Sequence, residues 1–171
     1  CRPLGRDQST VRIIAVDITP AMVAEAERLA AEVPVLNHSI RDGDGTVYGF
    51  LGEIVFRERV GGRQANTYDY DIVMKSGVTV DVKTKMVRSM PRPHYECSVT
   101  AGHTGQACDV YAFVRVLEDM TRGWYCGVMK KKEFFEKARL VRAGEQDGDN
   151  GWVAKADCYN LPIRDLRMNG I

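Results

Sequence analysis

The spacing of apolar and polar positions changes character several times along the chain. Val11 to Val16 is a short apolar run that reads as a strand or an extended lead-in. Thr19-Pro20 then supplies an N-cap followed by a proline at the first helical position. Ala21–Val33, rich in Ala, Glu and Leu, predicts a helix that Pro34 ends. Beyond a polar loop, Asn37–Gly45, a second helix is predicted from about Thr46 to Val60. Val47, Phe50, Leu51, Ile54 and Val55 fall on one side of it, and Gly61-Gly62 stops it. Gly49 and Gly52 leave one edge of this helix bare, which costs helix propensity but permits close approach to a neighbour.

From Tyr68 the period becomes two. Tyr70–Lys75 and Val78–Lys83 alternate around Ser76-Gly77 and predict a hairpin. Tyr95–Thr100, Val110–Leu117 and Trp124–Met129 are further strands, the last running into a helix over Lys131–Arg142. Glu145–Gly151 reads as a loop and Trp152–Tyr159 as a last strand. Helices, then a meander of strands, then a helix implies an α/β or α+β sheet flanked by helices. The expected organisation is one domain over residues 11–171 after a loose polar segment, residues 1–10.

The hairpin carries chemistry as well as pattern. Ile72, Met74, Val78, Val80 and Val82 are apolar, whereas Asp69, Asp71, Thr79, Asp81 and Lys83 occupy the alternate positions. For both apolar sets to share a face, even positions must pair with even, and pairing symmetric about Ser76 does this. It sets Ile72 across from Val80, and Asp71 across from Asp81. Two facing carboxylates repel unless a cation lies between them. Hard ions such as magnesium take carboxylates together with waters and phosphate oxygens. Lys83, two residues beyond Asp81, is placed to neutralise developing charge or to orient a water.

Asp71, nine residues, then Asp81-Val82-Lys83 resembles the signature of the PD-(D/E)XK nucleases, among them restriction enzymes, junction resolvases and phage exonucleases. The proline usual before the first acid is replaced by Tyr70, and the variable acid is Asp rather than Glu. Gly49-Phe-Leu-Gly52-Glu53 resembles the helix acid that often precedes that motif, and the resemblance spans roughly residues 46 to 129. It implies a restriction-endonuclease-like core, a mixed β-sheet with an antiparallel hairpin, flanked by helices. It implies Mg2+ or Mn2+ on Asp71, Asp81, the Val82 carbonyl and Glu53, with Lys83 catalytic, acting on phosphodiester bonds, DNA above RNA. A module of the same fold that binds nucleic acid without cleaving it is the alternative, and a structural protein with a charged hairpin is a third reading.

Composition adds limits. Net charge is +1, so a nucleic-acid partner has to be argued from local patches. From Val82 to Tyr95 there is no acid, while Lys83, Lys85, Arg88 and Arg92 occur. With Pro91 and Pro93 this reads as an extended loop whose Lys85, Arg88 and Arg92 follow a phosphate backbone. Lys130-Lys131-Lys132 is a weaker basic candidate. Asp69 rivals Asp71, and Glu53 has a plain alternative as a surface partner of Arg57. His94, Cys97, His103 and Cys108 form no strong zinc spacing. Five scattered cysteines favour reduced thiols and a cytoplasmic setting, that of a host if the origin is viral. No run is long enough to span a membrane. The start, Cys1-Arg-Pro-Leu-Gly-Arg6, lacks Met and an apolar signal stretch and reads as trimmed. Homo-oligomerisation is left open.

Overall fold

Thr19 caps the first helix as the sequence suggests. In a computed structural model, which describes residues 13–33, 44–65, 67–147 and 152–171, its hydroxyl accepts the Met22 amide at 3.3 Å. Strand β1 (Ile14–Asp17) leads into helix α1 (Pro20–Glu32), and α2 spans Asp44–Val60. Segment 1–10, Pro34, most of the loop before α2 and residues 148–151 of the Glu145–Gly151 loop lie outside the described residues. Next come β2 (Arg63–Gln64), β3 (Ile72–Val73), β4 (Thr79–Val87), β5 (Glu96–Thr100), β6 (Val110–Leu117) and β7 (Arg122–Lys130). Helix α3 (Lys131–Lys137) is followed by β8 (Arg139–Val141), β9 (Gln146–Asp147), β10 (Trp152–Val153) and β11 (Cys158–Pro162).

The main sheet has six strands in the order β1-β7-β6-β4-β3-β2. It is mixed: β4 and β6 run parallel, and its other pairs are antiparallel. The hairpin has the expected register, Ile72 opposite Val80, around a turn in which Gly77 takes a φ of 87°. The fold is therefore α+β with a mixed sheet.

Helices α1 and α2 cover one face. Leu51, Ile54 and Val55 of α2 pack with Val80, Val82, Val110, Ala112 and Val114 in a continuous apolar cluster. The other face is not open. A second sheet, β5-β11-β8, lies over it, and Cys97, Val99 and Leu161 join Tyr111, Phe113, Trp124 and Phe134 in a second core. The alternate face of the hairpin is thus roofed rather than solvated, and Asp81 is only 4% exposed.

Three sequence expectations need correction. The third helix ends at Lys137, because Arg139–Val141 is recruited as an edge strand against β11, with Val141 opposite Cys158. The predicted last strand divides into β10, paired with β9, and β11, paired with β5. Strand β4 runs past the expected end at Lys83 to Val87, so Lys85 belongs to the sheet and not to a loop.

Of the two bare positions on α2, only Gly52 meets a neighbour. A β-carbon there would fall 1.9 Å from Thr84 Oγ1 and 2.8 Å from Thr84 Cβ, while at Gly49 nothing lies within 4 Å. Gly52→Ala is expected to destabilise the protein by about 1–3 kcal/mol through overpacking, despite alanine's better helix propensity. Gly49→Ala carries no such clash. Urea denaturation of the two variants gives the comparison, and equal stability would remove the close-approach role of Gly52.

Candidate active site

One end of the main sheet gathers the ionisable side chains. Register places Gln64, Ile72, Val80, Val110 and Lys130 in a transverse row over five adjacent strands. Asp71 precedes Ile72, and Asp81 follows Val80. Glu53 comes from α2 and is 8% exposed, although it is a carboxylate on a helix flank. The three acids named by the sequence, and Lys83, are brought together here.

Each acid has a distinct tie. Asp71 Oδ2 accepts the Val82 amide at 2.7 Å, while its own amide donates to the Val80 carbonyl at 3.0 Å. Val82 therefore enters the site through its backbone, its side chain being in the helix-side core. Glu53 accepts from Gln64 Nε2, and Gln64 Oε1 accepts from Arg57 Nη1 at 3.0 Å. Arg57 thus reaches Glu53 through Gln64 rather than as a direct surface partner. Asp81 Oδ2 lies 2.6 Å from Lys83 Nζ, an ion pair without hydrogen-bond alignment, so this buried oxygen keeps unused acceptor capacity.

Lys83 sits in a cage that sequence reasoning missed. Its Nζ is 3.4 Å from Gln106 Oε1, 3.4 Å from His103 Nδ1 and 5.8 Å from the centre of the Tyr111 ring. Burial, and then the charge of Lys83, lower the His103 pKa, against the charge of Asp81. Gln106 and His103 come from a short turn without periodicity, Gln64 from a two-residue strand, and Tyr111 from an apolar run. No spacing rule marks any of them.

Burial pushes Asp71 up to about 9, with the charges of Glu53 and Asp81 adding to it and the Val82 amide and Lys83 opposing. Burial likewise raises Glu53 to about 7, against its Gln64 hydrogen bond and with help from the charge of Asp81. Both carboxyls bind protons more tightly in the folded protein than in the unfolded chain. Their stability contribution is full below the ordinary carboxylate range and is lost as pH rises, from both groups up to about 7 and from Asp71 alone up to about 9. Metal-free protein is therefore expected to melt lower as pH rises, losing at most about 1.4 kcal/mol per pH unit per group. Melts in chelator from about pH 5 to about pH 8 check this. A flat or rising Tm, or an equally steep fall in Asp71→Asn, contradicts it.

Among the described residues, no three His, Cys, Asp or Glu side chains close into an assembled metal shell. The donor set nevertheless suits a hard divalent cation: oxygen ligands only, two carboxyls whose ionisation burial and mutual repulsion oppose, and a buried carboxylate oxygen with capacity to spare.

The remaining candidates separate. Asp69 accepts the Ala107 amide at 3.0 Å and ties two loops together. Lys85 is corrected outright: its ammonium turns inward, donating to the Glu96 carbonyl at 3.1 Å and Ser98 Oγ at 2.7 Å, and burial lowers its pKa to about 8. It has no face to offer a phosphate. Arg88 and Arg92 are exposed, but Arg88 follows the far end of β4, roughly 20 Å along the strand from Asp81. Cys97 and Cys108 are buried free thiols, and the His94 ring packs edge-on to Tyr95 at 5.0 Å.

No family model matches the chain, and no curated protein matches it either.

Proposed function

We propose that the protein is a metal-dependent nuclease that hydrolyses phosphodiester bonds, in DNA above RNA. The observation that carries this reading is the convergence of three inward-turned carboxyls, Glu53, Asp71 and Asp81, with the caged Lys83. Such a cluster is costly to bury, and structures tend to keep strained arrangements of this kind where they serve function. The likeness of Asp71…Asp81-Val82-Lys83 to the PD-(D/E)XK signature points the same way.

In this reading Asp71, Asp81, Glu53 and the Val82 carbonyl hold Mg2+ or Mn2+. Bound there, the ion would polarise a phosphate oxygen and lower the pKa of a coordinated water. Lys83 supplies a positive charge and hydrogen-bond donors to the negative charge that develops on the phosphoryl group. Gln106, His103 and the face of Tyr111 keep its ammonium aimed at the carboxylates. Arg57, acting through Gln64, orients Glu53. The four described cysteines are free, which agrees with a reducing, cytoplasmic setting. No helix among the described residues is long and apolar enough to cross a membrane.

The closed Lys83–Asp81 pair and the Gln64 hold on Glu53 favour a second reading, a module that binds nucleic acid without cleaving it. Labelled single-stranded and duplex DNA, and RNA, incubated with Mg2+, Mn2+ or chelator, separate the two. Metal-dependent cleavage that Asp81→Asn lacks supports the nuclease. Binding without cleavage in either metal supports the module. No binding and no cleavage sets both aside.

A further inference from the structure

Tyr68 is 72% exposed, the most exposed of the large apolar side chains among the described residues. It is not on a loose tip. Thr67 closes the turn beneath it, its hydroxyl accepting the Tyr70 amide at 3.0 Å and its own amide donating to the Tyr70 carbonyl at 3.2 Å. The Asp69 carboxylate fastens the same turn to Ala107. The Tyr68 carbonyl accepts Gln106 Nε2 at 2.8 Å, and Gln106 is the buried side chain whose Oε1 faces Lys83. The backbone that carries this exposed aromatic ring is thus tied to Lys83 through one intervening residue.

Gln106 also connects to a set of cations. Its own carbonyl accepts Lys131 Nζ. Lys130 and Lys132, on either side, are exposed, and the nearest acid to Lys132 is Glu136 at 3.9 Å. Lys130 pairs with Val110, which pairs with Val80, so it lies two strands over from β4, about 10 Å from the residue before Asp81. Lys83 and Arg57 are the cations engaged with the carboxyls themselves. Of the exposed basic residues, Lys130 starts nearer that end of the sheet than Arg88, which follows the far end of β4.

We propose that Tyr68 is a stacking platform for an unpaired nucleobase and that Lys130 and Lys132 hold the adjoining phosphates, so that the site receives single-stranded DNA. The inference rests on the nuclease reading and adds the form of its substrate. A tyrosine on a fixed turn loses little conformational freedom when a base covers it, because only two side-chain torsions are involved. Stacking is available to every base and unavailable from a paired one, whose faces are already covered. The lysines contribute a sequence-independent attraction that weakens with salt.

The test compares binding of the full chain to oligothymidylate, to an abasic strand of equal length and to a blunt duplex, with calcium replacing magnesium. Tyr68→Ala is expected to weaken oligothymidylate binding about tenfold or more and to leave the abasic strand unchanged, while Tyr68→Phe retains wild-type affinity. The pair Lys130→Ala/Lys132→Ala is expected to weaken both strands alike and to flatten the salt dependence, and Arg88→Ala/Arg92→Ala to do so less. Unchanged oligothymidylate binding by Tyr68→Ala, or equal loss on both strands, overturns the stacking role. A salt slope that responds to Arg88 and Arg92 instead overturns the lysine patch, and preference for the duplex overturns the single-stranded substrate. Failure of the nuclease reading is distinct: wild-type protein would then cleave none of the three in magnesium or manganese, whether or not it binds them.

Discussion

Asp81→Asn is expected to lose metal-dependent cleavage yet to melt in chelator no lower than the parent protein near neutral pH. Two effects compete. Asp81 Oδ2 is 2.6 Å from Lys83 Nζ, and breaking a buried ion pair can cost about 3–5 kcal/mol by stranding a charge. Lys83 is not stranded here, because it retains Gln106, His103 and the Tyr111 ring. Its field also reaches Asp71, whose ionisation the charge of Asp81 now opposes. Removing that charge lets Asp71 or Glu53 ionise more readily beside the lysine, which offsets the lost pair. Magnesium should raise the parent Tm and leave the variant nearly unmoved, because the ligand set is broken. Melts of both proteins with and without metal decide the matter. A variant that melts several degrees lower in chelator would mark Asp81 as a structural partner of Lys83 and remove the support for a metal site.

Lys83→Ala should lower cleavage by about 10²–10³ while metal and DNA still bind, if the lysine acts on charge that develops in the transition state. The two variants are opposite in their response to metal. Without Lys83 the three carboxyls lose their nearest positive charge, and the metal-free cluster becomes more repulsive or more protonated. A divalent cation then restores more than it does in the parent, so the magnesium-induced rise in Tm should be larger than wild type. Wild-type cleavage rates would exclude the lysine from the chemistry. Lost activity together with a smaller metal response would mean that Lys83 positions the acids and does not act on substrate.

The hairpin was legible in the sequence because Ile72, Met74, Val78, Val80 and Val82 share one parity and the acids Asp71 and Asp81 the other, and a slip of one residue would have buried charge on both strands. That parity delivered Ile72 opposite Val80, and with it the neighbourhood of Asp71 and Asp81. It could not show that the alternate face is covered. Glu96-Cys97-Ser98-Val99-Thr100 was readable as a strand, but its partner β11 lies far along the chain, with Leu161 opposite Cys97, and local spacing does not report such pairings. The same cover explains the misplacement of Lys85. Pro91 and Pro93 suggested a loop back to Val82, yet Val82, Thr84 and Met86 alternate with Lys83 and Lys85, and β4 absorbs them all as far as Val87. Arg139–Val141 was drawn into a helix by the pattern before it and into a strand by β11.

The parallel pairing of β4 with β6 also bears on the order in which the molecule is built. Asp109 holds Thr79 through two 2.9 Å contacts across 30 residues of chain. Until that long loop closes, Gln106 and His103 have no lysine to meet, and Tyr68 has no Gln106. The backbone hydrogen bonds inside α2 and across the hairpin turn join near neighbours and can form earlier, whereas loop-closure entropy must be met before a distant parallel pairing returns anything. The end of the sheet that carries Asp71, Asp81 and Lys83 is therefore among the last parts to become native. A refolding chain should regain helical signal before it regains any response to magnesium.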